Sequence, residues 1–296
     1  MKKRIAVIVV LGLLMAIVIG SWVAGSSLSE PANATVGTLP SDFVGSSVQF
    51  ASESGSVLHG WFIPGKTGAG AIVLMHGVRA NRSSMLERAR FLSRAGYTVL
   101  LFDFQAHGES AGNHITFGYL ESKDARAAVN FLRSNSPGER IGVLGVSMGG
   151  AAALLASPPL EIDAIALEMV YPTIDQAIRD RLAARFGRWA RPFTPLLTWQ
   201  LKPRLGVTAG ELRPIDKVAH LTAPKLFIAG SPDQYTTLAE SRQMFEAASE
   251  PKALWVVNGA GHEDLYQLVG AEYEQRVLDF FFHYLNHKPG PVVLAT

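Results

Sequence analysis

A serine bracketed by glycines two places to either side, Gly145-Val146-Ser147-Met148-Gly149, stands where an apolar run gives way to an alanine-rich one. The run Ile141 to Val146 reads as a buried strand, and Ala151 to Ala156 as the start of a helix. A serine on such a strand-to-helix turn has its hydroxyl held clear of the sheet, and the small neighbours let backbone pack close around it. The amide of Met148, at the helix N-terminus, then faces whatever oxygen the serine attacks. The chemistry this suits is acyl transfer.

A serine hydroxyl is a weak nucleophile and needs a base that titrates near working pH, which is the natural task of histidine. Of the eight histidines, His262 follows the turn Asn258-Gly-Ala-Gly261 just after an apolar strand, where a loop can present it. The base needs an acid to hold its tautomer. Asp233, in Gly230-Ser-Pro-Asp233 after another strand, fits that need. Its rivals are Glu168, near the end of the strand after the serine, and Glu263 or Asp264 beside the histidine.

The elements that must position these groups alternate. Strands are expected at 71–75, 97–104, 141–146, 162–169, 224–229 and 253–257, and helices at 83–94, 119–133, 148–156, 237–248 and 264–286. Such alternation requires a mostly parallel sheet with helices on both faces and right-handed crossovers. Ligands then bind beyond the carboxyl ends of the strands, where Ser147, Asp233, His262 and His76-Gly77-Val78-Arg79 all fall. Before this pattern, 48–50 and 57–63 read as an antiparallel hairpin at a sheet edge.

The order His76-Gly77, Asp103-Phe-Gln-Ala-His-Gly108-Glu-Ser110, Gly-Val-Ser147-Met-Gly, Asp233, His262 resembles the α/β-hydrolase superfamily, in its serine esterase, lipase and peptidase branch. The resemblance implies an α/β-hydrolase sandwich with Ser147 as nucleophile, His262 as base and Asp233 as orienting acid. It further implies an oxyanion hole made by the backbone amides of Met148 and Val78. Gln105 and Ala106 replace the Arg and Gly usual in the Asp-x-Arg-Gly-x-Gly-x-Ser loop, which puts that loop's hydrogen bonding in question.

About fifty residues separate strand 162–169 from Pro224, far more than a crossover needs, and the family inserts a cap here. Ile174, Ala177, Ile178, Leu182, Phe186 and Trp189 recur at helical spacing up to Pro192 and Pro195, and Phe193 to Leu201 form a second apolar cluster. A small helical lid over an apolar pocket is expected at about 171–215, with Trp189 and Phe193 as candidate substrate contacts. Residues 171–213 carry a net charge of +5, which suits either a solvated face or contact with anionic lipid. Arg79, beside the expected oxyanion hole, is either a ligand for a substrate carboxylate or an exposed surface residue.

Among the 296 residues there is no cysteine, which excludes disulfides, thiolate metal sites and a cysteine nucleophile. The histidines show no ligand-spaced cluster, so neither metal nor cofactor is implied. A net charge of +2 suggests no nucleic-acid partner. Lys2-Lys3-Arg4 precede 25 uncharged residues, Ile5 to Ser29, long enough to cross a bilayer. The flanking charges put the N-terminus in the cytoplasm and the rest outside it. An uncleaved anchor is favoured; cleavage as a signal peptide, leaving a secreted or periplasmic protein, is the alternative. The expected divisions are an anchor or signal segment (1–25), a linker (26–47), a hydrolase-like domain (48–288) and a C-terminal tail (289–296). The expected partners are a small-molecule or lipid ester and the membrane, with the oligomeric state open. An ester or thioester hydrolase leads; a peptidase or amidase with the same triad, or a non-catalytic binding protein on the same fold, are the alternatives.

Overall fold

The structure, a computed structural model, describes residues 2–286; the last two residues of the expected hydrolase-like domain (287–288) and the expected tail (289–296) lie outside the described residues. The strands are β1 (Ala32–Asn33), β2 (Ser46–Ala51), β3 (Val57–Ile63), β4 (Ala71–Met75), β5 (Thr98–Phe102), β6 (His107–Gly108), β7 (Ile141–Val146), β8 (Ala164–Glu168), β9 (Lys225–Gly230) and β10 (Lys252–Val257). The helices are α1 (Lys2–Ser29), α2 (Leu86–Ala95), α3 (Glu121–Asn135), α4 (Met148–Leu155), α5 (Ile174–Phe186), α6 (Thr194–Thr198), α7 (Leu201–Leu205), α8 (Ile215–Val218), α9 (Leu238–Ala247) and α10 (Leu265–Leu285).

Eight strands form one sheet in the order β10-β9-β8-β7-β4-β5-β3-β2. The β2–β3 and β3–β5 pairs are antiparallel and the rest parallel, so the expected hairpin is the sheet's edge. The central strands β4, β5, β7, β8 and β9 are buried nearly end to end, because helices cover both faces. One apolar core takes in α3 and α4, the other α2 and α10. From β4 the chain moves outward to β5 and then returns to lay β7 on β4's other side. The switch point of the sheet therefore lies between the carboxyl ends of β4 and β7, with Met75 opposite Gly145.

A buried polar cluster ties α2 and α10, the helices of one face, to the end of β8. Arg88 on α2 donates to Glu168 on β8 (2.8 Å), to Asp264 (2.9 Å) and to the hydroxyl of Tyr273 on α10 (3.0 Å). The Tyr273 hydroxyl in turn donates to Glu168 at 2.6 Å. Arg88 and Glu168 are both buried and paired, which is the condition for such charges to be tolerated, while Asp264 remains partly exposed at the rim.

The amino-terminal region departs from expectation. α1 runs 28 residues, about 42 Å at 1.5 Å per residue, with no part of its apolar window buried in the protein. It is the one helix among the described residues long and apolar enough to cross a membrane. The helix continues to Ser29, and the segment beyond it is docked, not loose. Ala32–Asn33 pair with His107–Gly108, and Val36, Leu39 and Phe43 pack on the core. Their apolar side chains, dispersed among Ser, Thr and Gly, gave the linker no readable period. In the cap, Gly187 (φ 93°) ends α5, so the helix stops before Pro192.

Arg88→Met leaves Glu168 and Asp264 without their shared cation, a change that costs about 3–5 kcal/mol. The apparent melting temperature should fall by on the order of 10 °C in circular-dichroism melts of the full chain in detergent.

Candidate active site

Ser147 occupies the turn between β7 and α4 with φ 49° and ψ −113°, a strained conformation for a residue with a side chain. The flanking glycines allow it. A Cβ on Gly149 would lie 2.3 Å from the Met75 carbonyl oxygen, and one on Gly145 would lie 2.6 Å from Gly150 Cα. The Ser147 amide donates to the Glu168 carbonyl at 2.8 Å, which pins the turn to β8. Its hydroxyl is buried and has no hydrogen-bond partner among the described residues.

Asp233 sits in the loop after β9, its side chain fully buried. One carboxylate oxygen accepts the amides of Tyr235 (2.7 Å) and Thr236 (2.9 Å); the other accepts His262 Nδ1 at 2.8 Å. A carboxylate can only accept, so the imidazole proton is on Nδ1 and Nε2 is left as the acceptor. His262, in the loop after β10, is slightly exposed, and with Ser147, Gly77 and Val78 it lines one cleft. The three rivals of Asp233 are committed elsewhere. Glu168 is buried on Arg88 and Tyr273, Asp264 pairs with Arg88, and Glu263 accepts the Gly261 amide.

Val78 and Met148 line the same cavity as Ser147, and no turn or loop acceptor takes the amide of either among the described residues. Their positions follow from β4 and β7 being neighbours. Behind Val78, the loop is braced by His76, whose ring accepts the Phe104 amide at 3.2 Å and donates to the Gly77 carbonyl at 2.8 Å. Burial, reinforced by neighbouring His107, pushes the His76 imidazole down to about 3. Asp103 accepts the amides of Arg82 (2.7 Å) and Glu109 (2.9 Å) and pairs with the Arg82 guanidinium. Gln105 donates to the His114 carbonyl and to Glu121, so the side chain in place of the usual arginine is itself bonded.

Beside Ser147 opens a mainly apolar cavity of about 180 Å³. Ile174, Ala177 and Ile178 of α5 and Leu197, Leu201 and Leu205 of the following cap helices form its roof. Trp189 and Phe193 are not among its walls: they pack on each other at the outer surface, 69% and 37% exposed. The helical stripe that suggested Trp189 ends at Gly187, and of the second apolar cluster that suggested Phe193 it is Leu197 and Leu201 that line the cavity. Arg79 does border the cavity, but its guanidinium donates to the Ser27 and Glu30 carbonyls, at 3.2 and 3.3 Å, at the end of α1.

Sequence reasoning missed two contributors. Arg181 borders both the cavity and the His262 cleft, packs 5.5 Å from the Tyr235 ring, and has no ion-pair partner among the described residues. Burial lowers its pKa, against the pull of Tyr171, Asp233, Tyr235 and Asp180. As one of five arginines on or just after α5, it carried no mark in the sequence. Gly25, Leu28 and Ser29 of α1 also form a wall of the cavity. Among the described residues no cluster of His, Asp or Glu converges as a metal site.

A family model described as "Serine aminopeptidase, S33" matches residues 67–213. The Mycobacterium tuberculosis protein Rv2307c is 30% identical over 224 residues, 74% of this chain and 73% of that protein. The Bacillus subtilis protein YqkD is 28% identical over 214 residues, 71% of this chain and 70% of that protein. Among solved structures, a Pyrococcus furiosus esterase superposes with a TM-score of 0.72 at 26% identity, covering 87% of this chain and 98% of its own.

The buried His76 supplies a pH test of this packing. Unfolded, its imidazole takes a proton near 6.5; folded, only near 3, so stability holds above 6.5 and is lost as pH falls below it. At pH 5 the loss from this group is about 2 kcal/mol. Denaturant titrations at pH 7 and pH 5 should give a smaller difference for His76→Gln than for the natural chain.

Proposed function

The chain belongs to the α/β-hydrolase superfamily, and on that premise we propose that it is a serine hydrolase cleaving a carboxylic ester or thioester through an acyl-enzyme on Ser147. The observation that carries this reading is the 2.8 Å hydrogen bond between the buried Asp233 carboxylate and His262 Nδ1, which leaves Nε2 of the neutral ring free as an acceptor in the cleft that Ser147 lines.

In this reading the Ser147 oxygen attacks the acyl carbon while its proton passes to His262 Nε2, and Asp233 stabilises the resulting imidazolium. The negative oxygen of the tetrahedral intermediate rests on the amides of Met148 and Val78, fixed donors that need no reorganisation. The bond to the leaving alcohol or thiol then breaks, and that group departs with the proton held by His262. Water enters, gives a proton to His262 and its oxygen to the acyl carbon; the Ser147–acyl bond breaks, the proton returns to Ser147, and the acid leaves.

An ester or thioester is favoured over an amino-terminal peptide. A free amine needs uncommitted carboxylates, and the apolar cavity beside Ser147 is bordered by Arg79, Arg181 and Arg204 with no Asp or Glu. The acids of the His262 cleft are already bonded, Glu168 and Asp264 to Arg88 and Glu263 to the Gly261 amide. The Pyrococcus neighbour is titled an esterase, and a relative from Aspergillus aculeatus, 32% identical over 168 residues, is named a thiohydrolase. For topology, α1 serves as an uncleaved anchor, with Lys2, Lys3 and Arg4 cytoplasmic and the hydrolase domain on the opposite side.

A fluorophosphonate probe should label the full chain and fail to label Ser147→Ala. Asp233→Asn should reduce kcat by about 10⁴, as expected when the base takes the wrong tautomer. With matched substrates, a p-nitrophenyl ester should turn over and the corresponding p-nitroanilide should not; anilide cleavage at a comparable rate would return the protein to the peptidases.

A further inference from the structure

α1 does more than end near the active site. Gly25, Leu28 and Ser29 lie three and four residues apart, on one face of the helix, and that face closes the cavity beside Ser147. The same end of α1 is clamped by the cap. Arg204 lies 4.3 Å over the Trp22 ring, donates to the Trp22 carbonyl at 2.8 Å and bonds the Ser26 hydroxyl. Trp199 packs on Trp22 with ring centroids 6.4 Å apart, and Gln200 reaches Ser21 at 3.3 Å. On the opposite side, Arg79, the residue after Val78, holds the Ser27 and Glu30 carbonyls. The Ile115 amide holds that of Ser29 at 2.9 Å.

The depth of this contact can be placed. After Arg4 the helix rises about 30 Å in about 20 residues, the thickness of the hydrocarbon layer. Gly25 to Ser29 therefore emerge at headgroup level, with Trp22 one turn deeper. Trp22 and Trp199, both partly exposed, and Arg204 are the residue types that settle at a bilayer interface. The cavity thus opens beside the membrane surface. Its 180 Å³ is little more than the roughly 150 Å³ that holds a benzene, so it encloses only the first part of a long acyl chain.

We propose that the membrane helix is a wall of the acyl site: the chain of a bilayer-resident ester enters between α1 and the cap, and Leu28 limits how much chain passes. This deepens the hydrolase reading and rests on it. The carbonyl is then delivered to Ser147 while the far end of the chain stays in the bilayer, so extraction of the whole lipid into water is avoided. Loss of α1 would remove one side of the site as well as the anchor.

The test uses the full chain in phosphatidylcholine nanodiscs with p-nitrophenyl acetate and p-nitrophenyl dodecanoate, and fluorophosphonate labelling as the check on an intact nucleophile. Leu28→Trp should lower the dodecanoate-to-acetate ratio of kcat/KM by about tenfold or more, since each methylene excluded from an apolar pocket is worth at least about tenfold. The milder Leu28→Phe should move the ratio the same way by less. Val23→Trp, on an α1 position outside the cavity wall, should leave it at the natural value. A labelled Leu28→Trp with an unchanged ratio overturns the proposal, as does an equal shift from Val23→Trp. If the natural chain neither labels nor cleaves either ester, the hydrolase reading falls and this one with it; labelling with an unmoved ratio removes this one alone.

Discussion

The close approach of two backbones at the centre of the sheet is the constraint on which the site depends. β4 and β7 are neighbours with Met75 opposite Gly145, and the turn after β7 leaves no room for side chains at 145 and 149. That closeness holds Ser147 at a positive φ and sets the Val78 loop alongside it. A Cβ at 149 would meet the carbonyl of Met75 and then that of His76, so the strand end and the turn cannot both stay in place. Strain in the turn is tolerated because the surrounding sheet fixes it from both sides, through the Ser147 amide on β8 and the brace of His76 behind Val78.

Burial then assigns roles among like side chains. Four carboxylates stand near the proposed base in sequence or at strand ends, and only Asp233 meets His262. Glu168 is equally buried but balanced by Arg88 and a tyrosine hydroxyl, which makes it a structural counter-ion of the sheet. The difference lies in what α2 and α10 bring across the sheet, not in the strands that carry the two acids.

This is also the boundary of what could be read from residues alone. The alternation of strands and helices, the edge hairpin and the elbow were legible because each rests on local periodicity or on a few adjacent residues, and helix and strand ends fell within a few residues of the expected ones. The sequence could rank Asp233 above Glu168 but not exclude the latter, since the excluding contacts span 80 and 105 residues. Trp189 looked like a pocket residue because the apolar stripe runs past the glycine that ends the helix, and Phe193 because it heads an apolar cluster whose later members, Leu197 and Leu201, reach the cavity. Arg181 was invisible because its neighbouring arginines are alike until burial separates them. The stretch after α1 looked loose because its packing partners, among them the loop at 107–108, are some seventy residues away.

The docked amino terminus changes what the apolar helix α1 means for the proposed enzyme. A tether that merely limits diffusion needs no contact with the domain, and its composition can drift as long as it stays apolar. Here the last turn of α1 is held by the cap through Arg204 and by the loop of the proposed oxyanion hole through Arg79. α1 has no basic residue in its own last turn, so Arg79 supplies the positive charge that its terminal carbonyls favour. The residue that caps α1 is therefore bonded in sequence to Val78, one proposed donor to the reacting oxygen. A shift of the helix relative to the cap would be felt at both the proposed acyl wall and that donor, which couples the seat of α1 to the geometry around Ser147.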